Sequence, residues 1–131
     1  MTAAELILIV EDNEPSRMLV RDVLQATGYR TVEAGTAEEG IRLARESRPA
    51  LILMDIQLPG MSGIEALRHL RSDPATHVIP VMAVTASAMT HDRPRILAAG
   101  FDGYQTKPIS VRELLEAVRG LLEQPRSQDG P

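Results

Sequence analysis

The stretch A-L-I-L-M-D-I-Q-L-P-G-M-S-G, residues 50–63, decides the fold. It opens on an apolar run, L-I-L-M at 51–54, of the length and type of a strand buried on both faces. Asp55 ends that run, Pro59-Gly60 supplies a turn, and Ser62 offers a hydroxyl to cap the helix that follows. A carboxylate at the carboxyl end of a buried strand has given up part of its hydration, so it requires a partner or a task. A lone Asp in that place more commonly caps the next loop. The chemistry at the other strand ends decides between the two readings.

Working outward, L-I-L-I-V at 6–10 reads as a first buried strand, followed at once by Glu11, Asp12 and Asn13. Pro15 suits the first turn of a helix, where its missing N–H is not needed; Met18, Leu19, Val23 and Leu24 recur at helical spacing, and Gly28 stops the helix. Residues 30–34 form a short, more polar strand. Thr36 and Glu39 have the spacing of a capping box for a helix running to about Ser47. After the Asp55 strand comes a helix from about Ser62 with Ile64, Leu67 and Leu70 on one face, broken at Asp73-Pro74. Residues 78–84 read as a fourth strand closed by Thr85, and residues 101–106 as a fifth, followed by Lys107-Pro108. Between them lies a fourth helix ending at Gly100; Pro94 is tolerable only in its first turn, so this helix is expected to start late, near Asp92, after a mobile segment 87–91. Ser110 and Glu113 frame a second capping box opening a last helix through Leu114, Leu115, Val118 and Leu122.

Strand and helix thus alternate five times with short connections, which requires a parallel sheet covered by helices on both faces. Strands 1, 3 and 4 are almost wholly apolar and strands 2 and 5 more polar, so 2 and 5 belong at the edges. The expected architecture is a doubly wound α/β fold, a (βα)5 flavodoxin-like sandwich with strand order 2-1-3-4-5, the order being adopted from flavodoxin-like sheets. Residues 1–124 make the folded domain and residues 125–131 a short polar tail.

Composition narrows the function. The 131 residues suffice for one domain with its own core, and the chain has no cysteine, which excludes disulfides, thiolate metal sites and cysteine nucleophiles. No apolar run approaches the ~20 residues of a membrane span, and the first residues lack a basic region, so neither a membrane anchor nor a signal peptide is expected and the default location is cytoplasmic. The net charge of −4 is mild and no basic cluster tracks a phosphate backbone, so nucleic acid is not an expected partner. Lys107 is the sole lysine among the 14 basic residues.

In sheets of this kind ligands bind beyond the carboxyl ends of the strands, at the switch point between strands 1 and 3. Glu11, Asp12 and Asp55 converge there. Two unit charges ~4 Å apart repel by roughly 4 kcal/mol at an effective dielectric of about 20, so the three carboxylates must take up protons or bind a cation. Oxygen donors alone point to a hard ion, Mg²⁺ or Mn²⁺. Thr85 and Lys107 end strands 4 and 5 on the same rim, adding a hydroxyl and a point positive charge suited to an oxyanion. The set fits phosphoryl transfer to an aspartate.

The pieces I-L-I-V-E-D-N (7–13), L-I-L-M-D-I-Q-L-P-G-M-S-G (51–63), P-V-M-A-V-T-A (80–86) and Y-Q-T-K-P-I (104–109) together resemble the response-regulator receiver domains of two-component signalling, over residues 5 to about 123. Among single-domain regulators the pattern is most similar to DivK-like cell-cycle regulators. The resemblance implies that Asp55 is the phosphoacceptor, taking its phosphoryl group from a sensor histidine kinase or histidine phosphotransfer protein. It implies that Glu11, Asp12, Asp55 and the backbone carbonyl of Gln57 hold Mg²⁺, and that Thr85 and Lys107 contact the phosphoryl oxygens. It further implies that Thr85 and Tyr104 are the switch residues, that the Lys107-Pro108 bond is cis, and that helix 4, strand 5 and helix 5 present the changed surface to a downstream protein effector. Gln57 and Ser87, two residues after Asp55 and Thr85, occupy positions that tune phosphoryl lifetime in the family and leave it open here.

Each of these residues also has a plainer role. Glu11 and Asp12 could simply complement a helix dipole, Thr85 could be a cap, Lys107 a solvated surface cation, and Tyr104 an edge-strand aromatic. His69, His77 and His91 read as surface residues, and Met54, Met61, Met82 and Met89 as packing. Among other functions, a Mg²⁺-dependent phosphohydrolase of the haloacid dehalogenase class uses D-x-D, and Gln57 cannot replace its second acid, so an enzyme is not expected. A flavin or dinucleotide carrier is disfavoured by the acidic loop after strand 1 and the lack of G-x-G-x-x-G. A receiver cut from a larger hybrid kinase or effector-bearing regulator, and a phosphorylation-independent docking module, stand as alternatives.

Overall fold

The computed structural model describes residues 4–86 and 92–123. Five strands and five helices alternate: β1 (Leu6–Val10), α1 (Glu14–Thr27), β2 (Arg30–Ala34), α2 (Ala37–Ser47), β3 (Leu51–Asp55), α3 (Gly63–Arg71), β4 (Val81–Thr85), α4 (Asp92–Ala98), β5 (Gly103–Thr106) and α5 (Val111–Glu123). All strand pairs are parallel, in the order β2-β1-β3-β4-β5, the expected doubly wound arrangement. The polar strands do lie at the edges, and β3 and β4 are buried along their whole length.

Because side chains alternate along a strand, the sheet feeds two cores. Leu8, Val10, Ile52, Met54, Val81 and Ala83 face Ala44 of α2, Ala66, Leu67 and Leu70 of α3, and Ile96 of α4. Ile7, Ile9, Leu51, Leu53 and Met82 face Val20 and Leu24 of α1 and Leu114 and Val118 of α5. Each such Leu, Ile or Val withdrawn from water contributes about 1.5–3 kcal/mol, which is why the three central strands carry little else. Pairing Val10 with Met54 and Asp55 with Val84 brings the carboxyl ends of β1, β3 and β4 to one rim.

The helix ends follow local chemistry. Asn13 caps α1 through its side chain, accepting from Ser16 N–H at 2.9 Å, and Gly28 ends it in a left-handed conformation with φ 108°. Ser62 and Glu65 form a full capping box on α3, a reciprocity the sequence reading did not assign. At α2 the box is displaced: Thr36 accepts from Glu39 N–H at 3.1 Å, but Glu39 accepts from Gly35 N–H at 3.0 Å rather than from the cap residue. At α5, Ser110 Oγ accepts from Glu113 N–H at 3.4 Å.

Two boundaries differ from expectation. β4 begins at Val81, not at Val78, because residues 73–79 turn on themselves: Thr76 and His77 N–H both donate to the Asp73 carbonyl. The apolar Ile79 is buried in the core without extending the strand. β5 begins at Gly103 rather than Phe101, whose ring is buried against the α3–α4 core. α4 spans Asp92–Ala98 with Pro94 in its first turn, as the proline demands. The expected mobile segment 87–91 and the polar tail 125–131 lie outside the described residues, as does residue 124.

Candidate functional site

Each site residue is placed by a strand end. Glu11 follows β1, and its N–H donates to the Ala34 carbonyl at 3.0 Å, extending the β1–β2 ladder by one residue. Asp55 is the last residue of β3 and is 5% exposed. Thr85 closes β4, buried, and its carbonyl accepts from Lys107 N–H at 2.8 Å, which sets Lys107 level with it on the rim. The Lys107-Pro108 bond is cis. Tyr104 pairs with Ala83, half-buried, and packs against the α3–α4 core.

These placements bring the carboxylates together. Glu11, Asp12 and Asp55 each offer an oxygen within 4.8 Å of the others, Glu11 and Asp55 buried and Asp12 exposed. The Lys107 ammonium lies between two of them, 2.6 Å from Glu11 Oε1 and 3.1 Å from Asp55 Oδ2. The second oxygens are also engaged: Asn13 N–H donates to Glu11 Oε2 at 3.0 Å and Gln57 N–H to Asp55 Oδ1 at 2.9 Å. Beneath them lies a cavity of about 20 Å³ whose walls include Ile9, Val20, Leu53, Val84 and Leu114, a floor of low polarity.

The electrostatics follow. Burial pushes the Glu11 carboxyl above its ordinary value; the hydrogen bond from Lys107 opposes this, while Asp55 beside it adds to it. For Lys107 burial works against the ammonium, but the hydrogen bonds to Glu11 and Asp55, then their charges, outweigh it and hold the group above its ordinary value. Three negative charges less one positive leave two net negative formal charges at the rim, the charge of one divalent cation. The three oxygens, within 4.8 Å of one another, are near enough to share one cation, and a small octahedral ion with metal–oxygen distances of ~2.0–2.1 Å would draw them closer together. The oxygen-only donor set suits Mg²⁺ or Mn²⁺.

Two groups in this neighbourhood escaped sequence reasoning. Arg17 of α1 donates from its guanidinium to the Glu11 carbonyl at 2.9 Å and to Glu33 Oε1 of β2 at 3.2 Å. Within α1 it meets only Glu14, at 3.8 Å, an ordinary i, i+3 pair that does not mark it; the partners that tie it to the site come from two other segments. The second is Gly63, whose missing side chain lets α3 start directly against the Asp55 backbone.

Comparison with known proteins agrees with this geometry. The chain belongs to the response regulator receiver domain family, which matches residues 7–119, and is therefore a signalling switch of two-component systems, a class phosphorylated on aspartate. Its similarity extends to DivK, a polar-differentiation response regulator. The DivK of Brucella anthropi is 47% identical over 116 residues, 88% of this chain and 94% of that protein, and the DivK of Brucella ovis matches to the same extent. Among solved structures, the receiver domain of a sensor histidine kinase from Pseudomonas aeruginosa PAO1, with a magnesium ion coordinated in its active-site cleft, superposes with a TM-score of 0.86. It is 32% identical, over 93% of this chain and 100% of that one. A CheY-like receiver domain protein from Methanospirillum hungatei JF-1 gives a TM-score of 0.84 at 31% identity, over 92% of this chain and 95% of that one. Among the described residues no helix is long and apolar enough to cross a membrane.

Proposed function

We propose that Asp55 is the phosphoacceptor of this receiver, that Glu11, Asp12, Asp55 and the Gln57 carbonyl hold Mg²⁺, and that Thr85 and Lys107 bind the phosphoryl oxygens. The observation that carries this reading is the Lys107 ammonium bridging Glu11 and Asp55, two of the three clustered carboxylates. The donor is a phosphohistidine on a sensor kinase or phosphotransfer protein. The P–N bond breaks as the bond from phosphorus to an Asp55 oxygen forms, and the imidazole leaves neutral, keeping the proton on its other nitrogen. Bound Mg²⁺ supplies charge neutralisation for the phosphoryl oxygens. Lys107 adds a positive charge beside Asp55 and holds it in place, while Gln57 N–H fixes one carboxylate oxygen. The protein turns over no external substrate; it assists only its own phosphorylation and dephosphorylation.

The output reading is a two-state switch. Thr85, drawn towards the phosphoryl group, vacates space into which Tyr104 turns, and the surface of α4, β5 and α5 changes for a downstream protein partner. That partner shifts the equilibrium only by the difference in its affinity for the two states.

The test is incubation with Mg²⁺ and acetyl phosphate followed by intact mass. One phosphoryl group is gained with Mg²⁺ present, none with a chelator and none in Asp55→Asn. A folded wild-type chain that gains nothing at any donor concentration overturns the assignment, as does a gain retained in Asp55→Asn.

A further inference from the structure

Glu11 is fixed at four points. Its N–H donates to Ala34, Oε2 accepts from Asn13 N–H, and Oε1 meets Lys107. The fourth point comes from outside the carboxylate cluster: the Glu11 carbonyl oxygen accepts from Arg17 Nη1 at 2.9 Å. Arg17 is itself held, with only 20% of its side chain exposed: Nε donates to Glu33 Oε1 at 3.2 Å. Arg21 Nη1 lies 3.7 Å from the other oxygen of Glu33, so β2 presents an acid already oriented from two sides. The result is a strut running from β2 through α1 to the peptide between Glu11 and Asp12.

We propose that Arg17 is a positioning residue for the divalent-cation site, with Glu33 as its anchor. The proposal rests on the reading of Glu11 and Asp12 as the residues that hold the cation. The Glu11 carbonyl and the Asp12 N–H lie in one rigid peptide plane that also contains the Asp12 Cα, so pinning that oxygen fixes where the Asp12 Cα sits and the axis about which its side chain can turn. Asp12 is exposed, unlike the buried Glu11 and Asp55, so its carboxylate depends more than theirs on how its backbone is held. Charge alone argues the opposite way. A guanidinium this close repels a divalent cation, and Glu33 is placed to cancel that repulsion while leaving the hydrogen bond intact. Groups that orient metal ligands from behind contribute ~10–100-fold to metal affinity in general.

The two contributions have opposite signs, so one measurement separates them. Mg²⁺ is titrated calorimetrically into the full chain and into Arg17→Met, Arg17→Lys and Glu33→Gln, each checked for native far-UV dichroism. Arg17→Met is expected to weaken Mg²⁺ binding about tenfold, and Arg17→Lys to recover part of the loss because an ammonium can still reach the carbonyl. The half-saturating Mg²⁺ for phosphorylation by acetyl phosphate rises by the same factor, while the rate at saturating Mg²⁺ is unchanged; a general loosening of the fold would lower that rate. Glu33→Gln, which keeps an oxygen for Arg17 Nε but uncovers its charge, weakens binding less and in a salt-sensitive way. It remains informative should Arg17→Met fail to fold. Unchanged or tighter Mg²⁺ binding by folded Arg17→Met, or by Glu33→Gln, overturns the proposal while leaving the cation site standing. A wild-type chain that binds no Mg²⁺ overturns both.

Discussion

At the scale of single residues the site is built on very close tolerances. A Cβ on Gly63 would lie 2.5 Å from the Asp55 carbonyl oxygen and 2.8 Å from Ile56 Cα, both backbone atoms that cannot rotate aside. The Gly63 N–H donates to the Ile56 carbonyl at 3.0 Å, so α3 starts pressed against the segment that carries Asp55. Gly63→Ala is therefore expected to cost about 2–3 kcal/mol in urea unfolding, the upper part of the range for forced overpacking. It should also slow Asp55 phosphorylation, because the strain is relieved by moving the Asp55 backbone. Unchanged stability would show that α3 can shift without the strand end. Lys107 is a second case: a compact ammonium with three donors can sit between two carboxylates, which the planar guanidinium of the thirteen arginines would do less readily.

At the scale of elements, the joint between α3 and β4 explains where the strand starts. Asp73 accepts from Ala75 N–H at 2.9 Å and pairs with Arg45 of α2 at 2.6 Å, closing the turn that delays β4. The Ala75 hydrogen bond first, and Arg45 second, hold the Asp73 carboxyl below its ordinary value. Its stabilising effect is present above the unfolded-state value, ~3.9, and is lost as pH falls through the lower folded value. The stability gap between wild type and Asp73→Asn should thus be largest near neutral pH and close in acid; a pH-independent gap would mean that the charge plays no part. On the same joint, Arg71 donates to the Ile79 carbonyl at 2.7 Å and to Asp102 Oδ2 at 2.8 Å, and Asp102 also accepts from Val81 N–H at 2.9 Å. This pair fixes the base of β4 to the loop before β5. The apolar run of β4 and the alternation of elements located both strands, but the reading overran their starts, since Ile79 and Phe101 are apolar for packing rather than for pairing.

At the scale of the whole molecule, the fold concentrates like charge at one rim of the sheet and leaves it short of one divalent cation. A chain that binds Mg²⁺ only when folded gains about 2.7 kcal/mol at a concentration ~100 times the dissociation constant. Thermal unfolding should accordingly shift upward with Mg²⁺, and chelation should reverse it. Asp12→Asn is expected to keep or slightly raise Tm without metal, since it removes repulsion at an exposed position, and to lose most of the Mg²⁺-dependent rise. A mutant that keeps the full rise would remove Asp12 from the cation site.

The amino-acid sequence by itself determined the five strand–helix alternations, the central place of the apolar strands, and the strand ends that carry Glu11, Asp12, Asp55, Thr85 and Lys107. These are local properties: residue type, spacing and the two periods of helix and strand. Only the tertiary structure decided that the lone lysine bridges Glu11 and Asp55, that Arg17 reaches back to the Glu11 carbonyl, and that Arg71 meets Asp102. Those contacts join residues from different elements, and their directions follow from packing, which brings strand ends and helix faces within hydrogen-bonding distance once the two cores have closed.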